Sequence, residues 1–461
     1  MSLESPIESE LRLSLFARMH QRVSQFLSIA PGEGRVLVYS FSYFFCLLCS
    51  YYIIRPMRDE MGIAGGVEKL QWMFTGTFLV MLAAVPLFGW LVRRFPVQRF
   101  LPCVYFFFIG NLFLFYIVFK FDVHHAYVAR IFFIWASVYN LFIVSVFWSF
   151  MADSFSTEQA RRLFGIIAAG GTAGALTGPA LTAVLVMVLG PTNLLLISAA
   201  FLLIAVGCIY GIIAWKQSAK TKSSANNEGA AALPEGGMDQ RIGGSIFAGI
   251  RRVFQSSYLL GICLLMLLFT TLSTFLYFQQ AQIISNSFQN PADRTAIFAG
   301  MDFAVNALTL TTQMFITSRI INKLGLSWTL ALVPIFLGFG FLALGWMPTL
   351  AVLVAVQVMR RAGNYAIMRP AREMLYVVVD KEEKYKAKNF IDTVVYRGGD
   401  AMSAWAYAGM KALGLGMAGI AFTAVPLAAA WALISFKLGK SQMQRAARRD
   451  QTSTHRKDKR R

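Results

Sequence analysis

Arg360 and Arg361 stand side by side in the otherwise apolar run Leu350 to Met368. Asp302 and Asn306 interrupt the run Thr295 to Thr317, Arg397 and Asp400 interrupt Phe390 to Met410, and Arg55, Arg58 and Asp59 close the run Val36 to Ile54. An arginine at the centre of a membrane helix costs about 2.5–3.5 kcal/mol on insertion scales, so each of these groups has to face a partner or a wet cavity. Guanidiniums in such places form short, charge-assisted bonds to carboxylate or phosphate. Two chemistries are open to the set. Arg55, Arg58, Arg360, Arg361 and Arg397 can bind a solute anion while Asp59, Asp302 and Asp400 serve coupling or ion pairing. Alternatively, all of them balance one another, together with Asp392, in ion pairs that hold helices together. Neutral side chains would pack helices at lower cost than buried ions, which favours solute binding. Adjacent helix positions differ by about 100°, so one of Arg360 and Arg361 is expected to bind and the other to pair.

Other chemistry finds no foothold. The sequence has no Gly-x-x-x-x-Gly-Lys-Ser/Thr phosphate loop, no His-Glu-x-x-His and no Gly-x-Ser-x-Gly, so an enzyme is not expected and energy for transport should come from an ion gradient or from exchange. Cys46 and Cys49 have the spacing of a metal or redox pair but lie in an apolar run with no second pair and no nearby histidine; core packing is the expected role. Adjacent His124 and His125 fall in a short loop and are read as solvated. Neither a metal nor a cofactor is expected.

These charges must be carried on membrane helices. Hydrophobic types make up 57% of the 461 residues and charged types 14%, too much apolar side chain for a water-soluble core. It is gathered in runs of about 20 residues, the length of a helix that crosses hydrocarbon. Six runs, Val36–Ile54, Leu70–Val92, Phe100–Phe119, Tyr127–Phe150, Leu163–Leu189 and Asn193–Trp215, form a first half. Six more, Tyr258–Ile284, Thr295–Thr317, Trp328–Trp346, Leu350–Met368, Phe390–Met410 and Gly416–Phe436, form a second. The expected fold is an all-α membrane protein of twelve transmembrane helices in two six-helix halves. The corresponding divisions are an N-terminal segment (1–35), a first bundle (36–215), a polar linker (216–252) rich in Ser, Asn and Gly, a second bundle (253–437) and a basic tail (438–461).

Basic residues fall on alternate loops: Arg93, Arg94 and Arg99; Arg161 and Arg162; the linker; Arg319 and Lys323; and Lys384, Lys386 and Lys388. By the positive-inside rule these loops, the linker and both termini face the cytoplasm of a multi-pass inner-membrane protein. The net charge of +20 raises the question of nucleic acid. A basic tail directly after a last span is better read as fixing topology and attracting anionic lipid, at about 1 kcal/mol per charge, so no nucleic-acid partner is expected. A monomer in contact with lipid is.

In the fifth run Gly165, Gly174, Gly178 and Pro179 have a spacing that permits close helix contact and a kink. The pattern resembles the fifth-helix antiporter motif of the major facilitator superfamily, with Thr182-Ala183 in place of its final Gly-Gly. That superfamily's loop motif after the second span is matched at Gly89, Leu91 and Arg94, while Arg93 replaces its acidic residue. Glu158 to Gly165 after the fourth run resembles Glu383 to Phe390 after the tenth, as parallel repeats would, which puts a binding site between the halves near the midplane.

A second resemblance runs from Arg372-Glu-Met-Leu-Tyr376 through Asp380, Glu382, Lys384, Lys386, Lys388, Ile391-Asp392 and Arg397. It is similar to the Lys-Glu-x-Ala-Tyr to Ile-Asp-x-x-x-x-Arg stretch of the bacterial and plastid ATP/ADP translocases. Arg55-Pro-Met-Arg58-Asp59 resembles that family's Arg-Asp-Thr-Lys-Asp. The resemblance implies a major-facilitator-like fold and exchange of nucleotides or related phosphorylated solutes. It also implies structural or gating roles for Glu382, Lys386, Lys388 and Asp392. Where the family has Arg-Leu-Gly-Lys-Ser, this chain has Arg397-Gly-Gly-Asp400-Ala401, an anion in place of a cation, so the solute is expected to be anionic without necessarily being ATP.

Three functions are thus in view: an exchanger or symporter of an organic anion such as a nucleotide; a proton-coupled exporter with Asp302 and Asp400 as proton carriers; and a membrane receptor, for which the chain has no extra soluble domain. Cysteine-accessibility labelling in intact cells should find the linker, both termini and the Lys384–Lys388 loop on the cytoplasmic side. An external linker would sink the two-half arrangement.

Overall fold

The computed structural model of the protein describes residues 33–95, 97–122, 125–226, 255–380, 387–388 and 390–458. Twelve helices cross the body. The first half is built of α1 (Gly34–Ala64), α2 (Leu70–Arg94), α3 (Val97–Lys120), α4 (His125–Ser154), α5 (Thr157–Leu189) and α6 (Leu194–Asn226). The second contains α7 (Ser257–Ser287), α8 (Pro291–Phe315), α9 (Thr317–Trp346), α10 (Leu350–Gly363), α11 (Tyr396–Ala412) and α12 (Met417–Asp458). A π-helical turn, Asn364–Met368, carries α10 on into Arg369–Leu375, and a second, Ile391–Val395, leads into α11. Most of the linker and Glu382, Lys384 and Lys386 lie outside the described residues.

Local chemistry fixes the ends. Ser156 and Gln159 form a reciprocal capping box at the start of α5, each satisfying a backbone N–H that has no partner within the helix. Asn290 caps α8, and Pro291 occupies the first turn, where its missing N–H costs nothing. Inside α9, Gly325 takes φ 71, a left-handed conformation suited to glycine; it turns a short amphipathic segment into the span proper.

Nine of the helices are long and apolar enough to cross a membrane by composition alone. The remaining three, α8, α10 and α11, are those that hold Asp302, Arg360 with Arg361, and Arg397 with Asp400. α8 falls short through its polar residues, whereas α10 and α11 fall short in length, at 14 and 17 residues, each adjoining a π-helical turn. Buried side chains divide into two hydrophobic cores: one runs from Val36 to Ile212, the other is drawn almost entirely from Tyr258 to Leu438. Large apolar side chains such as Leu79, Phe107, Val188, Ile204 and Phe339 point outward, as they do where lipid is the solvent. The halves meet where α8 packs on α1 and α5 and where α11 packs on α2.

Three boundaries differ from the sequence reading. Helix α1 runs on to Ala64 instead of ending at Ile54, so Arg55, Arg58 and Asp59 lie within the helix and do not close it. α6 continues to Asn226, past the expected start of the linker, and α12 takes much of the basic tail as helix to Asp458. In each case polar residues extend a helix beyond the apolar run that hydropathy detects.

The glycine stripe of α5 lies on α1. A Cβ at Gly170 would fall 2.5 Å from the Phe41 carbonyl oxygen, one at Gly174 2.3 Å from that of Phe45, and one at Gly178 2.8 Å from that of Cys49. The contact therefore repeats every four residues, backbone on backbone. Gly165 is not part of it: nothing lies within 4 Å of its would-be Cβ. Its assignment to a close-contact motif is corrected accordingly, the contact stripe being Gly170–Gly174–Gly178 followed by Pro179. Alanine normally stabilises a helix by about 1 kcal/mol over glycine, so the sign of its effect discriminates. Gly174→Ala should lower the thermal unfolding temperature of the detergent-solubilised protein, overpacking costing about 1–3 kcal/mol, while Gly165→Ala should leave it level or raise it. A stabilised Gly174→Ala would mean that α1 and α5 do not touch there.

Candidate substrate-binding site

Between the halves lies a cavity of about 830 Å³ to which α1, α4, α5, α7, α8, α10 and α11 contribute. One end is sealed by contacts that cross from one half to the other. Tyr277 donates to Asp59 Oδ1 at 3.0 Å, Arg294 bonds the fully buried Glu60 at 2.8 Å, Trp405 donates to Thr75 at 3.0 Å, and Lys411 pairs with Glu68. These lie towards the α1–α2, α7–α8 and α11–α12 connections. The cavity extends the other way, to Gln313 and the exposed Arg369 near the α8–α9 and α10–α11 connections.

Six guanidiniums line it: Arg55, Arg58, Arg360, Arg361, Arg369 and Arg397. Their partners set them apart. Arg361 approaches Asp302 Oδ1 at 2.5 Å and Arg55 approaches Oδ2 at 3.5 Å. Asp302 is 1% exposed, so one carboxylate on α8 sits between a guanidinium from each half. The attraction of these two guanidiniums offsets its burial. Arg58 bonds Asp59 at 3.0 Å and Ser137 at 3.1 Å and lies 4.0 Å over the Phe133 ring. Arg397 stands 3.7 Å from Asp400, which also accepts from Thr274 at 3.4 Å.

Arg360 differs. It is 8% exposed, yet among the described residues its hydrogen bonds go only to neutral oxygens: Gln357 Oε1 accepts from Nε at 3.0 Å and from Nη2 at 2.8 Å, and Ser273 Oγ accepts from Nη1 at 2.8 Å. Gln357 is held in turn by Gln280. Of the five N–H donors of a guanidinium these bonds use one on each nitrogen, which leaves two for a ligand. The adjacent arginines thus have unequal surroundings, Arg361 facing a carboxylate and Arg360 none.

The stretch that resembles the ATP/ADP translocases ties α10 to α11 beside the cavity mouth. Arg372 faces Asp392 at 3.8 Å and Lys388 bonds Glu373 at 2.6 Å. Of that stretch, Arg397 and Glu373 reach the main cavity. The sequence reading did not pick out Tyr51, Tyr52, Asn140, Gln280, Gln357, Tyr365 and Arg369, all of which line it. Tyr51 and Tyr52 could have been found, since they precede Arg55 by four and three residues and so share its helix face. Gln280 and Tyr365 carry no comparable signal. Among the described residues no group of three or more His, Cys, Asp or Glu side chains is placed to hold a metal ion.

Two helical bundles around a polar cavity, closed towards one end, are the architecture of a polytopic membrane transporter. Residues 36–376 match the model of the Major Facilitator Superfamily, and the chain belongs to that family. No curated protein matches the sequence. Among solved structures, a bacterial homologue of the iron transporter ferroportin in an inward-facing state is similar over 89% of this chain and 99% of its own, at 13% identity and a TM-score of 0.61. A POT family transporter in complex with a thioalcohol-conjugated peptide aligns over 91% of this chain and 99% of its own, at 12% identity and a TM-score of 0.58. A bacterial homologue of the lysosomal transporter Spinster, inward-facing and unoccupied, covers 90% and 98% at 12% identity and a TM-score of 0.53. At such identities the likeness extends to the fold alone.

Removing one member of a buried ion pair leaves an uncompensated charge and costs about 3–5 kcal/mol. Asp302→Asn should accordingly lower the thermal unfolding temperature markedly, and Asp302→Asn combined with Arg361→Gln should recover part of the loss. If the single replacement left stability unchanged, the three-membered ion pair would not hold the halves together.

Proposed function

We propose that the protein is a secondary active transporter, an exchanger or symporter, of an organic anion of the nucleotide or related phosphorylated class. The single observation that carries this reading is Arg360, a buried guanidinium on the cavity wall whose hydrogen bonds among the described residues go only to neutral acceptors. An uncompensated buried cation is expensive, and an arriving anion compensates it. Arg55, Arg58 and Arg397 line the same space and join it as substrate-binding residues. Asp59, Asp302 and Asp400 keep these arginines placed in the empty protein.

The geometry supports the following cycle. An anion enters from the open face, meets Arg360 near the midplane, and reduces the repulsion between it and its neighbouring guanidiniums. Once that repulsion falls the halves can close over the solute, and the cross-half contacts of the sealed face can part. The basic loops support a cytoplasmic assignment for the open face, with both termini inside and the chain in the inner membrane. Glu382 and Lys386, together with Lys388 and Asp392, belong in this reading to the gate beside the α10–α11 connection. A monomer suffices, since each chain holds both halves and the whole cavity.

A second reading, proton-coupled export of other small molecules, is favoured by one feature. Asp400 lines the cavity with its cationic partner 3.7 Å away, a loose pair for a group buried in the membrane.

The test is uptake into proteoliposomes loaded with or without counter-solute, with and without a proton gradient, paired with equilibrium binding. Arg360→Gln should raise Kd for anionic solutes by more than tenfold, over about 1.4 kcal/mol, and should leave any binding of neutral solutes unaffected. Unchanged binding for every anion offered would return Arg360 to a structural role, and uptake driven solely by the proton gradient would favour the second reading.

A further inference from the structure

Resting on the organic-anion reading, we infer that the site is built for a single dianionic head of phosphate-monoester chemistry and excludes di- and triphosphate chains. The charges around the midplane set this limit. Arg55 and Arg361 share one carboxylate, Asp302, Arg360 adjoins them with no carboxylate of its own among the described residues, and Tyr365 lies among the three guanidiniums. Three positive charges against one negative leave a surplus of two. A phosphate monoester carries about −1.5 to −2 at neutral pH and presents three acceptor oxygens, which matches the surplus and suits the two N–H donors that Arg360 has to spare. A monocarboxylate or a sulfate ester would neutralise only half of it.

Among the described residues a longer phosphate chain meets no further cation that lacks a partner at this depth. Arg58 is bonded to Asp59 at 3.0 Å and Arg397 stands beside Asp400 at 3.7 Å, so each of these pairs is neutral and turns a carboxylate towards the cavity. A second or third phosphoryl group placed near them would meet anionic oxygens without a free guanidinium in compensation. Arg369 adds charge only at the exposed mouth, where water and salt screen it. The body of the solute would lie among Tyr51, Tyr52 and Tyr396, whose rings and hydroxyls suit a ribose, a sugar or a base.

Asp302 makes the arrangement reversible. Its carboxylate is held by Arg361 and Arg55, so in the empty protein it stands in for the solute's head opposite Arg361. An incoming dianion competes with it for that guanidinium.

The experiment is equilibrium binding to the purified full-length protein with AMP, glucose 6-phosphate, inorganic phosphate, glucose 6-sulfate and ATP as probes. At least one of AMP and glucose 6-phosphate should bind about tenfold or more tightly than ATP and than the sulfate ester. Its affinity should fall as pH drops through about 6, where the monoester takes up its second proton. If inorganic phosphate binds as tightly as the best ester, the head alone is recognised; if it binds more weakly, the tyrosine-lined region contributes. Either result supports the dianionic site. Asp400→Asn should narrow the gap by raising affinity for ATP. If ATP binds as tightly as every monoester while Arg360→Gln still weakens it, the single-head inference fails and the anion reading stands. If no probe binds, both fail.

Discussion

Asp302 is the group on which the rest of the site depends. A carboxylate with 1% exposure in a membrane protein is tolerable only beside positive charge, and it has two such neighbours, Arg361 from its own half and Arg55 from the other. The consequences reach in both directions. Because Asp302 draws Arg361, the adjacent Arg360 turns to Gln357 and Ser273 and is left without a counter-charge among the described residues. Because it also draws Arg55, a polar contact links α1 to α8 at the depth where the halves would otherwise meet through apolar side chains.

That cross-half contact adds to a seam where α8 packs on α1 and α5 and α11 on α2. Each bundle has a hydrophobic core drawn mainly from its own helices, and the close approach of Gly170, Gly174 and Gly178 to α1 binds α5 to it within the first bundle. Packing of this density does not deform gradually; it moves as a unit. The contacts between halves are mixed: Tyr277 with Asp59, Arg294 with Glu60 and Trp405 with Thr75 are polar, while Ile63, Leu70, Met73 and Phe133 pack into the core of the second bundle. The polar pairs can be exchanged for water or solute when a face opens.

Sequence alone reached the fold because the dominant constraint is local: a helix must be apolar over about 20 residues to sit in hydrocarbon, and twelve runs of that kind can be counted. It found the polar midplane for the same reason, since Asp302, Arg360, Arg361, Arg397 and Asp400 are conspicuous against their surroundings. It ended α1 too early, at Ile54, because Arg55, Arg58 and Asp59 resemble a membrane boundary in hydropathy, although in space they face the cavity in mid-helix. It put Gly165 in a contact that belongs to Gly170, because spacing shows that residues share a face but not where the neighbouring helix crosses it. Partners were beyond its reach. Nothing local distinguishes Arg360 from Arg361; what separates them is a carboxylate some sixty residues away in sequence and adjacent only in the fold.

The same distinction bears on how far the resemblance to the ATP/ADP translocases should extend. Where described, its matched residues around the α10–α11 connection are engaged with one another, Arg372 with Asp392 and Lys388 with Glu373, and Glu373 and Arg397 also line the cavity. On the proposed function, a stretch whose side chains hold two helices together beside the cavity mouth belongs to the gate, and the solute is selected deeper, by the balance between guanidiniums that have a carboxylate and, among the described residues, the one that has none. This chain departs from the resemblance at that depth, with Asp400 where a lysine is expected, and the change removes a cation from the region that would receive the far end of a polyphosphate.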